Sequence, residues 1–194
     1  EFRPDYRSLG QLKKEFPGVP IAAFTATATL AVQADVIRLL GLRSPLVVRA
    51  SFDRPELFYR VAPKEGDADA QVLDFIRRHP GQSGIVYRST RKAVERTAGF
   101  LAGQGVSAVA YHAGMADGDR RERQEAFVRD EVPVVVATIA FGMGIDKPNV
   151  RWVVHADLPR SVEGYYQETG RAARDGESAD TLLLHGPSDI ASAR

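Results

Sequence analysis

The chain has 194 residues, 44% of them hydrophobic, and a formal net charge of +1. Those figures describe an ordinary globular chain without the bulk charge that draws a polyanion, so any nucleic-acid site must be a local patch. The absence of cysteine excludes disulfides and thiolate metal sites.

No apolar run reaches membrane-spanning length and no signal peptide is visible, so an intracellular, cytoplasmic protein with no membrane partner is the expectation. The ends, "EFRPDYRSLG" and "SDIASAR", read as text from inside a longer protein. In chain order, residues 21–24 predict a buried strand, 31–40 a helix stopped at Gly41, and 46–49 a second short strand. The polar, proline-bearing stretch "SFDRPELFYRVAPKEGD" predicts a linker between domains. A helix closes over 72–78, with Pro80-Gly81 after it.

From residue 84 the pattern becomes regular. Strands are predicted at 84–87, 106–111, 133–137, 150–155 and 181–184. Between them, Val94, Thr97, Ala98 and Leu101 share one helix face, and Arg120, Gln124 and Phe127 another. Strands that are apolar throughout are buried on both sides. Their alternation with helices predicts an α/β fold: a doubly wound, mostly parallel sheet whose ligands collect in loops at the strands' carboxyl ends.

The loops carry the chemistry. In "ATIAFGMGID", Gly142 and Gly144 let backbone amides approach a ligand, Thr138 can donate to a phosphate, and Asp146 can accept from a ribose hydroxyl or hold an arginine; a tight turn without ligand would look the same. In "YRSTRK", Ser89 and Thr90 at a helix start make an anion seat, although ordinary capping explains them equally. His112 in "YHAGM" reads as a polar loop residue. Basic residues (Arg88, Arg91, Lys92, Arg96, Arg120, Arg121, Arg123, Arg129) outnumber acidic ones (Glu95, Asp117, Asp119, Glu122, Glu125) between positions 85 and 129, a mild lean toward phosphate. Finally, "YYQETGRAARDG" sets Arg171 and Arg174 three residues apart after Gly170. Its bland reading is a helix capped by Ser161, running to about Glu168 and stopped by a left-handed Gly170.

Individually these signals are modest, but their order is distinctive. "TATAT", "IVYRSTRKAVE", "AYHAGM", "VVVATIAFGMGIDKPNVRWVVHADLP" and "YYQETGRAARDGE" follow one another in a way that resembles the RecQ family of superfamily 2 DNA helicases over nearly the whole chain. The resemblance implies RecA-like domains clamping ATP between them. Residues 52–194 would form the second domain and 1–51 the end of the first, with "FTATAT" (24–29) as motif III. "IVYRST" falls at motif IV, "VVVATIAFGMGID" at motif V and "YYQETGRAARDG" at motif VI. Glu56 stands where the family usually has Asn, and Ala173 where it has Gly. If that position needs a positive φ, alanine there costs about 1 kcal/mol or more.

By the same resemblance, Arg174 is an arginine finger for the γ-phosphate, Arg171 lies beside it and Gln167 helps order the loop. Asp146, Gly142 and Gly144 line the nucleotide side. Arg171, nearer the helix end, is expected to pair with a carboxylate such as Asp146. A guanidinium suits that task because it stabilises charge on transferring oxygens bidentately. Phe2, Arg3, Ser89, Arg91, His112 and Thr138 are implied nucleic-acid contacts. The implied activity is ATP-dependent 3′-to-5′ unwinding of DNA in recombination and repair, on single strands and duplex junctions, with ATP and Mg2+. No Gly-x-x-x-x-Gly-Lys-Ser/Thr loop occurs in the chain. The family's Asp-Glu-x-His box is expected upstream of residue 1 and its four-cysteine zinc module downstream of residue 194, so no metal site is expected here and this stretch alone should be inactive. An RNA helicase of the same superfamily, or a non-catalytic nucleic-acid-binding or adaptor domain with this fold, is the rival reading.

Overall fold

Thr29 opens a helix by accepting the amide of Val32 on its hydroxyl at 3.3 Å. The computed structural model describes residues 4–25, 28–49, 53–141, 145–187 and 189, with the backbone alone for residues 4–7. It divides the chain into two units, Glu1–Phe52 and Asp53–Arg194. The first holds a 3-10 helix over Pro4–Gln11, a single turn α1 (Leu12–Glu15) and the Thr29-capped helix α2 (Leu30–Leu39), which Gly41 ends at φ +60°. The strands expected at 21–24 and 46–49 do not form. Both runs are irregular, and Phe24, Leu46 and Val48 are each more than 80% exposed. A strand exists by pairing its amides and carbonyls, and among the described residues of this unit nothing lies beside these runs to take them.

The second unit is a six-stranded sheet, parallel throughout. Its strands are β1 (Leu57–Pro63), β2 (Ser83–Tyr87), β3 (Ala108–Tyr111), β4 (Val134–Ala137), β5 (Val150–His155) and β6 (Ala179–His185), in the order β1-β6-β5-β2-β4-β3. Here the predicted linker is corrected. "LFYRVAP" within it is β1, an edge strand in register with β6 from Leu57↔Ala179 to Pro63↔His185. Only Leu57 of it is buried, which is why its composition reads as polar connection rather than core.

Successive strand residues face opposite sides, so each apolar strand feeds two cores. Val86, Val134, Val136, Trp152 and Val154 meet α3 (Ala68–Arg77) and α4 (Arg91–Gly103) through Val72, Phe75, Val94, Ala98 and Leu101. Ile85, Tyr87, Val135 and Val153 meet Phe127 of α5 (Asp117–Val128), Phe141 and Ile145 on the other side, together with Ala172 and Ala173, which follow α6 (Val162–Thr169). Trp152 lies directly over Gly84, where a Cβ would collide with its ring. Between α3 and α4 the buried Asp69 accepts from Thr97 Oγ1 at 2.7 Å and from Arg96 Nε at 3.0 Å.

Ser161 caps α6 as expected, accepting Gly164 N at 3.0 Å. The stop differs. Gly170 has φ −63°, ordinary right-handed backbone, and the left-handed residue is Ala173 at φ +58°. The chain goes on turning through Thr169–Ala172 before it reverses, so the reversal falls three residues later than the glycine suggests.

Candidate functional site

The predicted site residues separate onto the two edges of the sheet. In a parallel sheet each strand is left at its carboxyl edge and each helix returns the chain to the amino edge. Ser89, Arg91, His112 and Thr138 follow β2, β3 and β4 and sit at the carboxyl edge. Arg174 does not. Ala173 N–H donates to Val150 O at 3.0 Å, and Val150 is the first residue of β5, so the arginine loop lies at the amino edge rather than among the strand-end loops. Thr138 follows β4 at the carboxyl edge, whereas Asp146 meets Arg174 at the amino edge. A four-residue strand separates the edges by about 13 Å. Gly142, Gly144, Phe2 and Arg3 lie outside the described residues.

At the carboxyl edge, Asp157 is the organising group, and composition gave no sign of it. It accepts Ser89 N at 2.8 Å, Ser89 Oγ at 3.1 Å and Lys64 Nζ at 3.1 Å, with Arg88 Nη1 at 3.4 Å. Burial pushes its carboxyl up, but the Ser89 amide, Arg88 and Lys64 together outweigh it and hold it below the usual range. The anion seat expected at Ser89 thus holds a carboxylate of the protein itself, and Thr90 Oγ1 acts as a cap toward Ala93 N at 3.1 Å. His112 is nearly buried. Its Nδ1 accepts Gly114 N at 3.2 Å, so Nε2 carries the proton and donates to Glu95 Oε1 at 2.7 Å. Arg91, the first residue of α4, lies against Gly114, where an added Cβ would sit 2.9 Å from its Nη1. Among the described residues Arg91 makes no ion pair. Thr138 turns back on itself, its Oγ1 accepting Ala140 N at 3.4 Å. Between these loops opens a cleft of about 610 Å3, walled by Arg88, Thr90, Ile139, Leu158 and Arg160.

At the amino edge, Arg174 donates from Nη1 to Ile145 O at 2.8 Å and to Asp146 Oδ1 at 3.0 Å. The expected Arg171–Asp146 pairing is therefore corrected: the partner of Asp146 is Arg174. Arg171 lies one turn earlier and turns inward, away from the amino edge, to the hydroxyl of Tyr87, the last residue of β2, whose pKa burial pushes up and the Arg171 charge draws back. Tyr87 in turn donates to Phe141 O at 3.0 Å and stacks on His155 at 5.0 Å between centroids. The buried His155 Nε2 meets Glu168 Oε2 at 2.6 Å. Gln167 is exposed on α6. One further residue escaped the sequence reading. Arg54 donates from Nη2 to Ala172 O at 3.1 Å and Ala173 O at 3.2 Å, and its Nε to Glu56. Hydrogen bonding to Arg54 is the main cause that lowers the Glu56 pKa. The signal available was Glu56 itself, a charged residue at a position where an amide was expected.

Comparison with known proteins follows this geometry. The model of the helicase conserved C-terminal domain matches residues 67–176. The chain is 53% identical over 98% of its length to ATP-dependent DNA helicase RecQ of Pasteurella multocida, and covers 30% of that protein. It is 45% identical, over its full length, to RecQ-like DNA helicase BLM of Xenopus laevis, of which it covers 14%. Among solved structures, S. cerevisiae Dbp5 bound to RNA and ADP BeF3 superposes with a TM-score of 0.74 at 19% identity, over 95% of this chain and 50% of that one. The chain thus spans under a third of the length of these curated relatives.

Proposed function

This chain belongs to the helicase conserved C-terminal domain family, in its RecQ branch, and we propose that it supplies the second RecA-like half of an ATP-dependent 3′-to-5′ DNA helicase of recombination and repair, with residues 1–51 closing the first half. ATP sits against the amino edge of the sheet, where Arg174 meets the γ-phosphate. Arg171 supports it from within, and Gln167 faces the same nucleotide. DNA phosphates lie along the carboxyl edge, on Arg91 and Thr138, in loops shaped by Ser89 and His112. The stretch alone neither hydrolyses ATP nor unwinds DNA. When bound, ATP supplies the phosphoryl group whose charge the arginine offsets, and the exposed face of Arg174 fits that task.

The observation that carries this reading is the state of Arg174. Its guanidinium is oriented by Ile145 O, yet its charged partner, Asp146, is 89% exposed and Arg174 itself 37%. An exposed pair of this kind is worth about 0–1 kcal/mol, so a phosphate can replace the carboxylate at little expense. An arginine engaged only in the transition state raises turnover without tightening substrate binding. In the full-length protein, Arg174→Ala is expected to lower ATP turnover about a thousandfold or more, leaving ATP and DNA affinity nearly intact. Arg171→Ala should instead lower stability or binding, because it removes the charge beside the buried Tyr87 hydroxyl. Steady-state ATPase assays decide it: a loss below about tenfold for Arg174→Ala leaves Arg174 a surface residue.

A further inference from the structure

Ala173 presents a local problem. At φ +58° it is left-handed, a conformation that costs a non-glycine residue about 1–2 kcal/mol, and it is 1% exposed. Something in the surroundings must hold it. The two peptide planes that flank its Cα are each tied down. The plane before it carries Ala172 O, bonded to Arg54 Nη2 at 3.1 Å, and Ala173 N–H, bonded to Val150 O at 3.0 Å. The plane after it carries Ala173 O, bonded to the same Nη2 at 3.2 Å. Fixing both planes on one nitrogen fixes the φ and ψ between them. Arg54 is itself held by Glu56, and both precede β1 at the amino edge, where Ala179 N also bonds Glu56 O at 2.9 Å.

Arg174 is the next residue. Were Ala173 to relax to ordinary helical φ, the chain would swing by roughly 120° about its N–Cα bond, and Arg174 would leave Ile145 O and Asp146. We propose that Arg54, braced by Glu56, is a positioning residue: by gripping the Ala172 and Ala173 carbonyls it keeps the left-handed turn that aims Arg174. The proposal rests on the reading of Arg174 as the nucleotide-side arginine. It gives Glu56 a task that the sequence left unassigned, as the anion that orients the Arg54 fork.

The energetics set the size of the effect. Without the grip, an alanine prefers right-handed backbone by about 1–2 kcal/mol, roughly five- to thirtyfold in population. Glycine populates both signs of φ about equally, so at position 173 it would hold the productive turn about half the time unaided. The clamp should therefore matter to alanine and hardly to glycine.

The test is a double-mutant cycle in the full-length protein, read by steady-state ATPase and by ATP and DNA binding. Arg54→Met, which keeps the stem and removes the donors, is expected to lower kcat about tenfold, with KM for ATP and DNA affinity within about twofold of the parent. The same substitution made in an Ala173→Gly background is expected to lower kcat less than threefold. Glu56→Ala, a milder change should Arg54→Met fold poorly, is expected to lower kcat a few fold and to show the same suppression. A merely structural Arg54 predicts a lower melting temperature with kcat unchanged, or an equal loss in both backgrounds, and either result overturns the proposal. Arg174→Ala measured alongside separates the two ideas. If it is inactive while Arg54→Met turns over normally, the clamp alone is wrong; if Arg174→Ala turns over normally, the nucleotide-side reading falls and the clamp falls with it.

Discussion

Asp157 accepts both the backbone amide of Ser89, at 2.8 Å, and its hydroxyl, at 3.1 Å. The group that a helix N-terminus invites from solution is here supplied from the end of β5. Lys64 and Arg88 complete the seat, and the carboxylate is 16% exposed. Lys64 also bonds Asp189 at 2.9 Å, so one cluster joins the carboxyl ends of β1, β2, β5 and the segment after β6.

That cluster makes stability depend on pH in a defined direction. Burial raises the Asp157 carboxyl pKa, the Ser89 amide, Arg88 and Lys64 lower it further, and the net value lies below the ordinary one. A folded-state pKa below the unfolded one adds stability at neutral pH, which is lost as pH falls through the folded value. Asp157→Asn should therefore melt lower than the parent at pH 7 by about 2 kcal/mol, or roughly 4–8 °C, and the gap should close only below the ordinary carboxylate range. The single Trp152, buried against Phe75, reports the melt by fluorescence. A gap that stays constant into strong acid would show that Asp157 acts through packing rather than charge.

Gly84 offers a sharper test of the core. Its missing side chain is the space that the Trp152 ring occupies, at the point where the β2–β5 register shifts. Gly84→Ala forces the ring or both strands to move in a core with no exposed wall. Overpacking of this kind costs about 1–3 kcal/mol, and more where backbone must give. The expected outcome is a melting temperature lowered by several degrees with a red shift of Trp152 emission. An unshifted spectrum with unchanged stability would place the ring elsewhere.

The legible part of this fold is the part where one periodicity decides. β4 reads as a strand because Val134–Ala137 must face two cores at once, and the buried face of α4 is the set Val94, Thr97, Ala98 and Leu101 that its 3.6-residue period picks out. The family was legible too, through the order of its loops. What could not be read was which group faces which. Asp157 lies 68 residues from Ser89, and Arg54 lies 118 from Ala172. Such pairs are made by topology, which brings the end of β5 beside the end of β2 and the start of β1 beside the arginine loop. The false strands at 21–24 and 46–49 fail for the converse reason, since an apolar run registers a demand for cover and does not say what provides it. Gly170 misled because glycine permits a left-handed turn without requiring one, while Ala173 adopts it under the grip of its neighbours.

The nucleic-acid edge yields a prediction that separates charge from hydrogen bonding. Arg91 is an exposed cation at the start of α4 with no ion pair among the described residues, whereas Arg121 on α5 is already paired with Glu125 at 2.8 Å. A cation that meets a phosphate releases a counterion, and for a single strand each such contact adds about 0.7 to the slope of log affinity against log salt. Arg91→Ala in the full-length protein should therefore weaken single-stranded DNA binding most at low salt and flatten the slope by about that amount. Thr138→Ala removes a neutral hydroxyl, so it should weaken binding by about 1 kcal/mol, near fivefold, at every salt concentration. Neither change should depend on base sequence, because backbone contacts carry none. Arg121→Ala, whose charge is spent within its own helix, serves as the control and should leave both affinity and slope close to the parent. Titrations of labelled oligonucleotide at several salt concentrations measure all three. Should Arg91→Ala behave like the Arg121 control, the strand runs elsewhere on the domain, and the carboxyl-edge assignment is wrong even if Thr138 still contributes.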